Sequence, residues 1–287
     1  MMGPVVLTLL VRDDVDVVDT CVAYHLGRGV DFVIATDHRS QDGTTDVLRA
    51  YERAGRLRLL REEGEAFEQD VWVTRMGRMA AREHGAAWVI HTDADEFWWP
   101  SDGDLRDTLA AVPSAVGRLV VPRSNFLPAR TEVGPFFERM VMRDRASVNA
   151  VGTPLPPKVC HRACVDVTVH MGNHDATSPQ LGAAAPADDL EILHFPVRGW
   201  RQIERKVVQG AHALASNRAL PEQFGITWRR LREGVDDGGL RAFWESQVAL
   251  GERAPDDRIV RDERLRRYLR AMVAAPGAGV VLRDSET

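Results

Sequence analysis

The chain has little cysteine, little charge imbalance and no long apolar run, and each scarcity closes off a class of protein. Three cysteines in 287 residues are too few, and odd in number, for a disulfide framework, and they fit a reducing, cytoplasmic setting. The formal charge of −5, from 42 Asp and Glu against 37 Lys and Arg, gives no electrostatic footing for a nucleic-acid partner. No apolar run approaches the roughly 20 residues that a membrane helix needs. The opening, MMGPVVLTLLVRDD, lacks a basic region and its apolar run is short. It reads as a first strand and not as a signal peptide. There is no internal repeat. A hydrophobic content of 44% and a charged content of 28% describe a soluble globular protein, long enough for one large domain with an appendage.

Taken in order, residues 5–11 form a continuous apolar run, the pattern of a strand buried on both faces. Asp13 or Asp14 can cap a helix whose apolar positions Val17, Val18, Cys21, Val22 and Leu26 fall at helical spacing. Gly27 and Gly29 offer its stop. A second strand is predicted over 31–36, followed by a loop rich in Asp, Ser and Gly over 37–45 and a helix over 45–53. A third strand over 56–61, a long helix over 65–84 ended by Gly85, and a fourth strand over 87–91 complete four alternations of strand and helix. That alternation predicts a mainly parallel α/β sheet, Rossmann-like, with crossover helices on its faces.

The pattern then changes. A short helix is predicted over 104–112 and a strand over 118–122. Residues 125–157 read as loop. Residues 159–170 read as one strand, with Val165, Val167 and Val169 alternating against Asp166, Thr168 and His170. A small-residue loop over 172–188 precedes a last strand over 191–195. From about residue 198 the chain reads as helical, ending in a disordered polar tail over 283–287. These expectations place a first domain over 1–197 and a helical C-terminal extension, packing on it, over 198–287.

The most informative stretch is WVIHTDADEFWW, residues 88–99. An apolar strand ends in Asp93, Asp95 and Glu96. Three carboxylates in four positions repel one another and resist desolvation, so a buried cluster of this kind calls for a cation or a cationic ligand. In open α/β sheets, ligands lie outside the carboxyl ends of the strands. Hard oxygen ligands favour Mg²⁺ or Mn²⁺, ions that usually also hold substrate phosphates. D-x-D alone is a common tripeptide, and a solvated acidic turn is the plainer reading of its spacing.

Several ordered segments sharpen the reading. His91-Thr92-Asp93-Ala94-Asp95-Glu96-Phe97-Trp98 resembles the D-x-D motif of family-2-like glycosyltransferases of GT-A fold, in their D-x-D-E-F subgroup. Residues 5–14, ending Arg12-Asp13-Asp14, resemble that family's first strand and turn. Tyr24-His25-Leu26 with Asp31-Phe32-Val33-Ile34, the loop Asp37-His38-Arg39-Ser40-Gln41-Asp42-Gly43-Thr44, and His194-Phe195-Pro196 with Lys206 beyond resemble further segments. The likeness covers roughly residues 4–210. It implies a catalytic domain that binds a nucleotide sugar and an acceptor over 1–197. The activity it implies is a hexosyltransferase-type, metal-dependent transfer from a nucleotide-diphosphate sugar to a glycan or small-molecule hydroxyl acceptor, with inversion.

By that resemblance Asp37 meets the base or ribose, and Thr8, Arg12 and Asp13 line the same pocket. Asp95 is the more direct metal ligand, Asp93 contacts the ion through water or contacts the donor ribose, and His194 completes the metal site. The ion would be Mn²⁺ or Mg²⁺. Lys206 can reach a phosphate as a point charge, with Arg75 and Arg78 as further phosphate candidates. A general base must take the acceptor proton. Glu138, beside Phe136 and Phe137, and Glu96 are the candidates put forward, among Glu132, Asp144, Asp166 and Asp175.

Other features have plainer readings. Cys160, Cys164, His170 and His174 have zinc-like spacing, but on a strand four ligands converge poorly; the two histidines could line an acceptor pocket. Trp98 and Trp99 can stack on a sugar or anchor the loop. The arginines at 229, 230, 232, 261, 264, 266, 267 and 270 are interleaved with acids and form a mixed solvated face more readily than a membrane-surface patch. The helical part also offers a surface for a homodimer. Two rival functions stay in view. A nucleotidyltransferase of similar fold would need a Gly- and basic-rich triphosphate loop that the first strand lacks. A non-catalytic sugar-nucleotide or glycan-binding module would bind without turnover.

Overall fold

The structure, a computed structural model, describes residues 2–216 and 226–274; the polar tail over 283–287 lies outside the described residues. In chain order the strands are β1 (Val5–Val11), β2 (Phe32–His38), β3 (Leu57–Glu62), β4 (Trp88–Asp93), β5 (Glu96–Pro100), β6 (Val116–Val121), β7 (Arg123–Phe126), β8 (Met142–Asp144), β9 (Lys158–Arg162), β10 (Thr168–Val169), β11 (Ala176–Thr177), β12 (Ala183–Pro186), β13 (Leu190–His194) and β14 (Ile259–Arg261). The helices are α1 (Val18–Gly27), α2 (Thr44–Arg53), α3 (Gln69–His84), α4 (Leu105–Ala110), α5 (Phe136–Arg139), α6 (Trp200–Ser216), α7 (Ile226–Glu233), α8 (Gly239–Gly251) and α9 (Arg264–Ala274).

The chain divides into two compact units. The first holds the residues up to Glu63, Glu68–Arg123 and Pro156–Leu193; the second holds Gly64–Phe67, Ser124–Leu155 and the described residues from His194 onward. Residues 124–155 group with the described residues from His194 onward.

The first unit is a mixed α/β body around a mainly parallel sheet of seven strands in the order β12-β6-β9-β4-β1-β2-β3. β1 pairs in parallel with both β2 and β4, and β2 pairs in parallel with β3. β9 alone runs against its neighbours, lying antiparallel between β4 and β6. The continuous run of β1 has the expected cause. All seven residues are buried, because a central parallel strand is covered on both faces, and each fully buried Val or Leu contributes about 1.5–3 kcal/mol. α3 buries Trp72, Val73, Met76 and Ala80 along one stripe. It ends where Gly85 takes the left-handed conformation at φ 56°, as a helix C-cap favours.

The second unit carries an antiparallel ribbon, β7-β8-β14, in which Asp144 lies opposite both Asn125 and Ile259. α6, α7 and α8 share a core of Val197, Ile203, Val207, Leu231, Leu240, Trp244 and Val248. β14 interrupts what reads in the sequence as unbroken helix. Its three residues are held by long-range pairing with β8, which no local pattern announces.

Three further expectations change in the first unit. The strand expected over 159–170 stops at Arg162. Beyond it, the Cys164 thiol and the Ser178 hydroxyl both donate to Asp166 Oδ1, at 2.7 and 2.6 Å, which bends the chain before Thr168 and Val169 pair with Thr177 and Ala176. The loop expected over 172–188 contains β12, parallel to β6. The acidic stretch is followed at once by β5, so Asp93 closes one strand, Glu96 opens the next and Asp95 stands on the two-residue turn between them.

β12 reaches β6 because two glycines meet. A Cβ on Gly117 would stand 2.2 Å from the Gly182 nitrogen and 2.7 Å from its Cα, distances only a backbone shift could relieve. Gly117→Ala is therefore expected to cost about 1–3 kcal/mol by denaturant unfolding. Gly64→Ala, with nothing within 4 Å of the added carbon, should stay within about 0.5 kcal/mol of the parent.

Candidate active site

The parallel strands run in the order β3-β2-β1-β4, so the direction of winding reverses between β1 and β4. Their carboxyl ends at this reversal are where α/β sheets place ligands. Register sets Leu10 of β1 beside Asp93 of β4. Asp93 closes β4, Ala94 and Asp95 make the turn, and Glu96 opens β5. Asp95 is 2% exposed and Glu96 is fully buried.

The charges on this turn are balanced from within. Lys158 Nζ, on the fully covered first residue of β9, lies 2.6 Å from Asp93 Oδ2 and 3.2 Å from Glu96 Oε1. Arg123 Nη1 lies 2.9 Å from Glu96 Oε1, and its Nε donates to the Pro156 carbonyl at 2.9 Å. The Asp93 N–H donates to Glu96 Oε2 at 3.2 Å. Glu96 thus has both oxygens engaged, the arrangement of a group that orients the turn. Burial pulls the Asp93 carboxyl upward, but the Lys158 ammonium outweighs it and the group ends below the usual range. At Glu96 burial prevails over Lys158 and Arg123, and the carboxyl is pushed up. Burial, then the charges of Asp95 and Glu96, push the nearby Cys21 thiol far up, so this cysteine is no nucleophile.

The donor set of the turn is hard oxygen, suited to Mn²⁺ or Mg²⁺. Among the described residues no group of three or more His, Cys, Asp and Glu side chains is arranged to hold a metal ion by itself. A turn of this kind suits an ion held by carboxylate with the rest of its shell supplied by other oxygens.

Next to the acidic turn, the loops that follow β1 and β2 are stitched together. Asp13 N–H donates to Ser40 Oγ at 3.0 Å, and Gln41 N–H donates to Asp13 Oδ1 at 2.6 Å. Asp14 N–H donates to Thr44 Oγ1, and Val15 N–H to Asp42 Oδ2. Asp37 is fully buried. Its Oδ1 accepts from Ser40 N–H at 3.0 Å and its Oδ2 accepts from the Thr45 hydroxyl, so it is the loop's internal anchor. Asp13 and Arg39 hold positive φ, 51° and 60°. Non-glycine residues in this conformation cost free energy and cluster at ligand sites. Arg12 is partly exposed, its Nε 4.0 Å from Asp13 Oδ2.

Below the turn, β1, β4 and β9 share a buried polar chain. His161 Nδ1 lies 2.7 Å from the Arg162 carbonyl, so it must carry the proton. His161 Nε2 is then an acceptor, and His91 Nε2–H donates to it at 2.9 Å. His91 Nδ1 in turn accepts from the Thr8 hydroxyl at 2.6 Å. Thr8 is therefore the first donor of a one-way chain. Burial, with His161 and Lys158 adding to it, holds His91 well below the usual imidazole range. Burial lowers His161 to about 4.

α1 fixes the far side of the acidic turn. The Tyr24 hydroxyl donates to the Trp98 carbonyl at 2.9 Å, and Trp98 N–H donates to His25 Nε2 at 3.3 Å. His25 Nδ1–H is directed at the Cys21 carbonyl at 2.8 Å. Burial lowers His25 also to about 4. Trp98 is fully buried. Trp99 is covered by the Arg28 guanidinium at 4.8 Å and lies parallel to Tyr24. Both tryptophans are anchors of β5.

The remaining candidates have other settings. Arg75 pairs with Glu62, and Arg78 Nε donates to the Val167 carbonyl at 2.8 Å; both line a cleft of about 500 Å³ on the outer face of α3. Asp175 pairs with Arg118. His170 Nε2 is 3.1 Å from Thr177 Oγ1, and His174 Nδ1 is 2.7 Å from the Pro157 carbonyl. In the second unit, His194 Nδ1 is 2.7 Å from Asn125 Oδ1, and Lys206 lies on α6. Glu138 is gripped at both oxygens by Arg270, an ionic setting where the sequence suggested an aromatic one. Glu132 accepts from Trp200 N–H at the start of α6, and Asp144 is held at both oxygens by Arg258. Arginines 261 and 266 pair with Glu263, and Arg264 with Asp262.

Lys158 and Arg123 were not singled out by the sequence. Lys158 had a signal in composition. It and Lys206 are the two lysines among 37 Lys and Arg residues. In a chain that otherwise uses arginine, a compact ammonium stands where two carboxylates converge.

No protein-family model and no curated protein sequence matches the chain. Among solved structures, similarity is found to TarS 1-349 of S. aureus, at 12% identity over 76% of this chain and 67% of that one, with TM-score 0.40. It is also found to glucosyl-3-phosphoglycerate synthase from Mycobacterium tuberculosis in complex with Mn²⁺, uridine diphosphate and glucosyl-3-phosphoglycerate, at 12% identity and TM-score 0.31. That match covers 42% of this chain and 44% of that one. A mycobacterial protein matches at 15% identity and TM-score 0.31, over 43% of this chain and 42% of that one. The chain thus spans less than half the length of these two mycobacterial structures.

Three of the buried histidines, His25, His91 and His161, set a pH dependence. The unfolded chain takes up their protons near 6.5, whereas folded His25 and His161 do so near 4 and burial holds His91 well below its ordinary value. Between these values the unfolded state binds more protons, so stability is complete above pH 6.5 and falls as pH drops toward 4. Glu96, pushed up by burial, runs against this trend. A melting-temperature series from pH 7.5 to 4.5 should show the loss. His25→Gln should flatten it by up to about 1.4 kcal/mol per pH unit.

Proposed function

We propose that the chain is a metal-dependent glycosyltransferase of GT-A fold, transferring a sugar from a nucleoside-diphosphate donor to a hydroxyl acceptor with inversion. The observation that carries this reading is the meeting of two features at one end of the parallel sheet. The interlocked loops after β1 and β2, built on Asp13 and Asp37, stand beside the acidic turn after β4 at the reversal of strand order.

In this reading the two loops receive the base and ribose, with Arg12 and Asp13 at the rim and Thr8 beneath. Asp93 and Asp95 would hold the ion, which would supply Lewis-acid charge at the diphosphate. Glu96 keeps the turn in shape. The acceptor oxygen attacks the anomeric carbon on the face opposite the diphosphate, the bond to the diphosphate oxygen breaks, and the acceptor proton passes to a carboxylate base. Mn²⁺ and Mg²⁺ are both suited to the ligand set.

The test is a thermal-shift panel of UDP, GDP, dTDP, CDP and ADP, each with and without Mn²⁺. One diphosphate should raise the melting temperature only with the ion, by about 2.7 kcal/mol of stabilisation at a hundredfold excess over Kd. Asp95→Ala should abolish that metal-dependent gain while keeping the unliganded fold. Binding with no release of sugar from the matching nucleotide sugar would favour a binding module instead. No shift with any diphosphate would reduce the motif to an acidic turn.

A further inference from the structure

The transferase reading leaves a cation in an unexpected place. The Lys158 ammonium sits between Asp93 and Glu96, at 2.6 and 3.2 Å, on a residue 1% exposed. Resting on that reading, we propose that Lys158 is a positioning residue. Its ammonium is the site's standing counter-ion, holding Asp93 and Glu96 in place and keeping the turn's affinity for divalent cations low until a diphosphate is present.

The charge count leads to this directly. Asp93, Asp95 and Glu96 bring three negative charges, and Lys158 and Arg123 bring two positive ones, leaving a formal −1 where the sequence suggests −3. A divalent ion approaching Asp93 also meets an ammonium on the same carboxylate, and two cations a few ångströms apart in a low-dielectric setting repel strongly. A diphosphate changes both terms. It brings negative charge that offsets the repulsion and oxygens that complete the ion's shell. By linkage the ion then strengthens diphosphate binding by the same factor that the diphosphate strengthens ion binding.

A solely structural Lys158 would give the opposite sign on removal. If the lysine merely held the turn together, Lys158→Met would loosen the carboxylates and weaken ion binding. If it is the counter-ion, Lys158→Met raises the negative charge of the turn and strengthens binding of the ion alone.

The experiment is a titration with Mn²⁺, followed by the electron paramagnetic resonance signal of free Mn²⁺. It is run on the parent protein and on Lys158→Met, without nucleotide and with saturating UDP, GDP, dTDP, CDP or ADP. In the parent, the diphosphate that binds should tighten Mn²⁺ by tenfold or more. In Lys158→Met, Mn²⁺ alone should bind severalfold tighter than in the parent, and the gain from the diphosphate should shrink. Equal Mn²⁺ affinity in the parent with and without that diphosphate overturns the proposal and leaves the transferase reading standing; so does weaker Mn²⁺ binding in a folded Lys158→Met. Failure of every diphosphate to bind the parent, with Mn²⁺ present, overturns the transferase reading and this proposal with it. Each titration is corrected for the Mn²⁺ that the nucleotide binds without protein, and if Lys158→Met does not fold, Lys158→Gln, also uncharged, is read in the same way.

Discussion

Three carboxylates at the end of a strand covered on both faces are the constraint around which the first unit is arranged. Left alone, such a group would resist burial by several kcal/mol for each ion. The sequence supplies the remedy about 65 positions downstream. β9 runs antiparallel to β4 in the register that sets Ile90 opposite Cys160, and this brings Lys158 alongside the acidic end. Arg123, the first residue of β7, pairs with the same oxygen of Glu96. The one reversed strand of the sheet thus carries the ammonium that bridges Asp93 and Glu96.

A division of labour by depth follows. At the carboxyl ends of the strands the polar groups are charged and paired. One layer down, between β1, β4 and β9, they are neutral and joined by hydrogen bonds with a fixed direction, from Thr8 through His91 and His161 to the Arg162 carbonyl. Buried polar arrays are favourable when every member is satisfied, and here the terminal acceptor is a backbone oxygen that cannot change its role. His25 follows the same rule on the helix side, with a carbonyl at one nitrogen and an amide at the other. The acidic turn is therefore supported by groups whose tautomers are set by the backbone.

The sequence was most legible where burial acts on a contiguous run. The four parallel strands and their crossover helices follow from apolar runs and 3.6-residue spacing, and their observed bounds differ from the expected ones by a few residues. The acidic turn was legible because three carboxylates in four positions have few physical explanations. What was illegible depends on partners far away in the chain. β12 is Ala-Ala-Ala-Pro, with no strand propensity of its own, and exists because Gly117 and Gly182 let two backbones close. β14 exists because β8 is there to receive it. Lys158 follows two prolines and looked like the approach to a strand. Its role depends on a pairing between β4 and β9 that local pattern cannot express. Glu138 shows the same limit in reverse, since its neighbours Phe136 and Phe137 suggested an apolar setting while Arg270, on a distant helix, supplies an ionic one.

The two rims of the seven-stranded sheet bear on how the chain avoids its own kind. An open sheet ends in strands with unsatisfied backbone groups, which can recruit a strand from another molecule. β3 forms one rim and carries Arg58, Arg61 and Glu62 within six residues, so a second copy laid against it would oppose like charges. β12 forms the other rim. It is four residues long and closes on Pro186, which has no N–H to offer and a ring that resists continued pairing. While the chain is being made or is partly unfolded, neither rim gives a passing strand a long, uncharged template, and a sheet of this width can stay a single molecule's sheet.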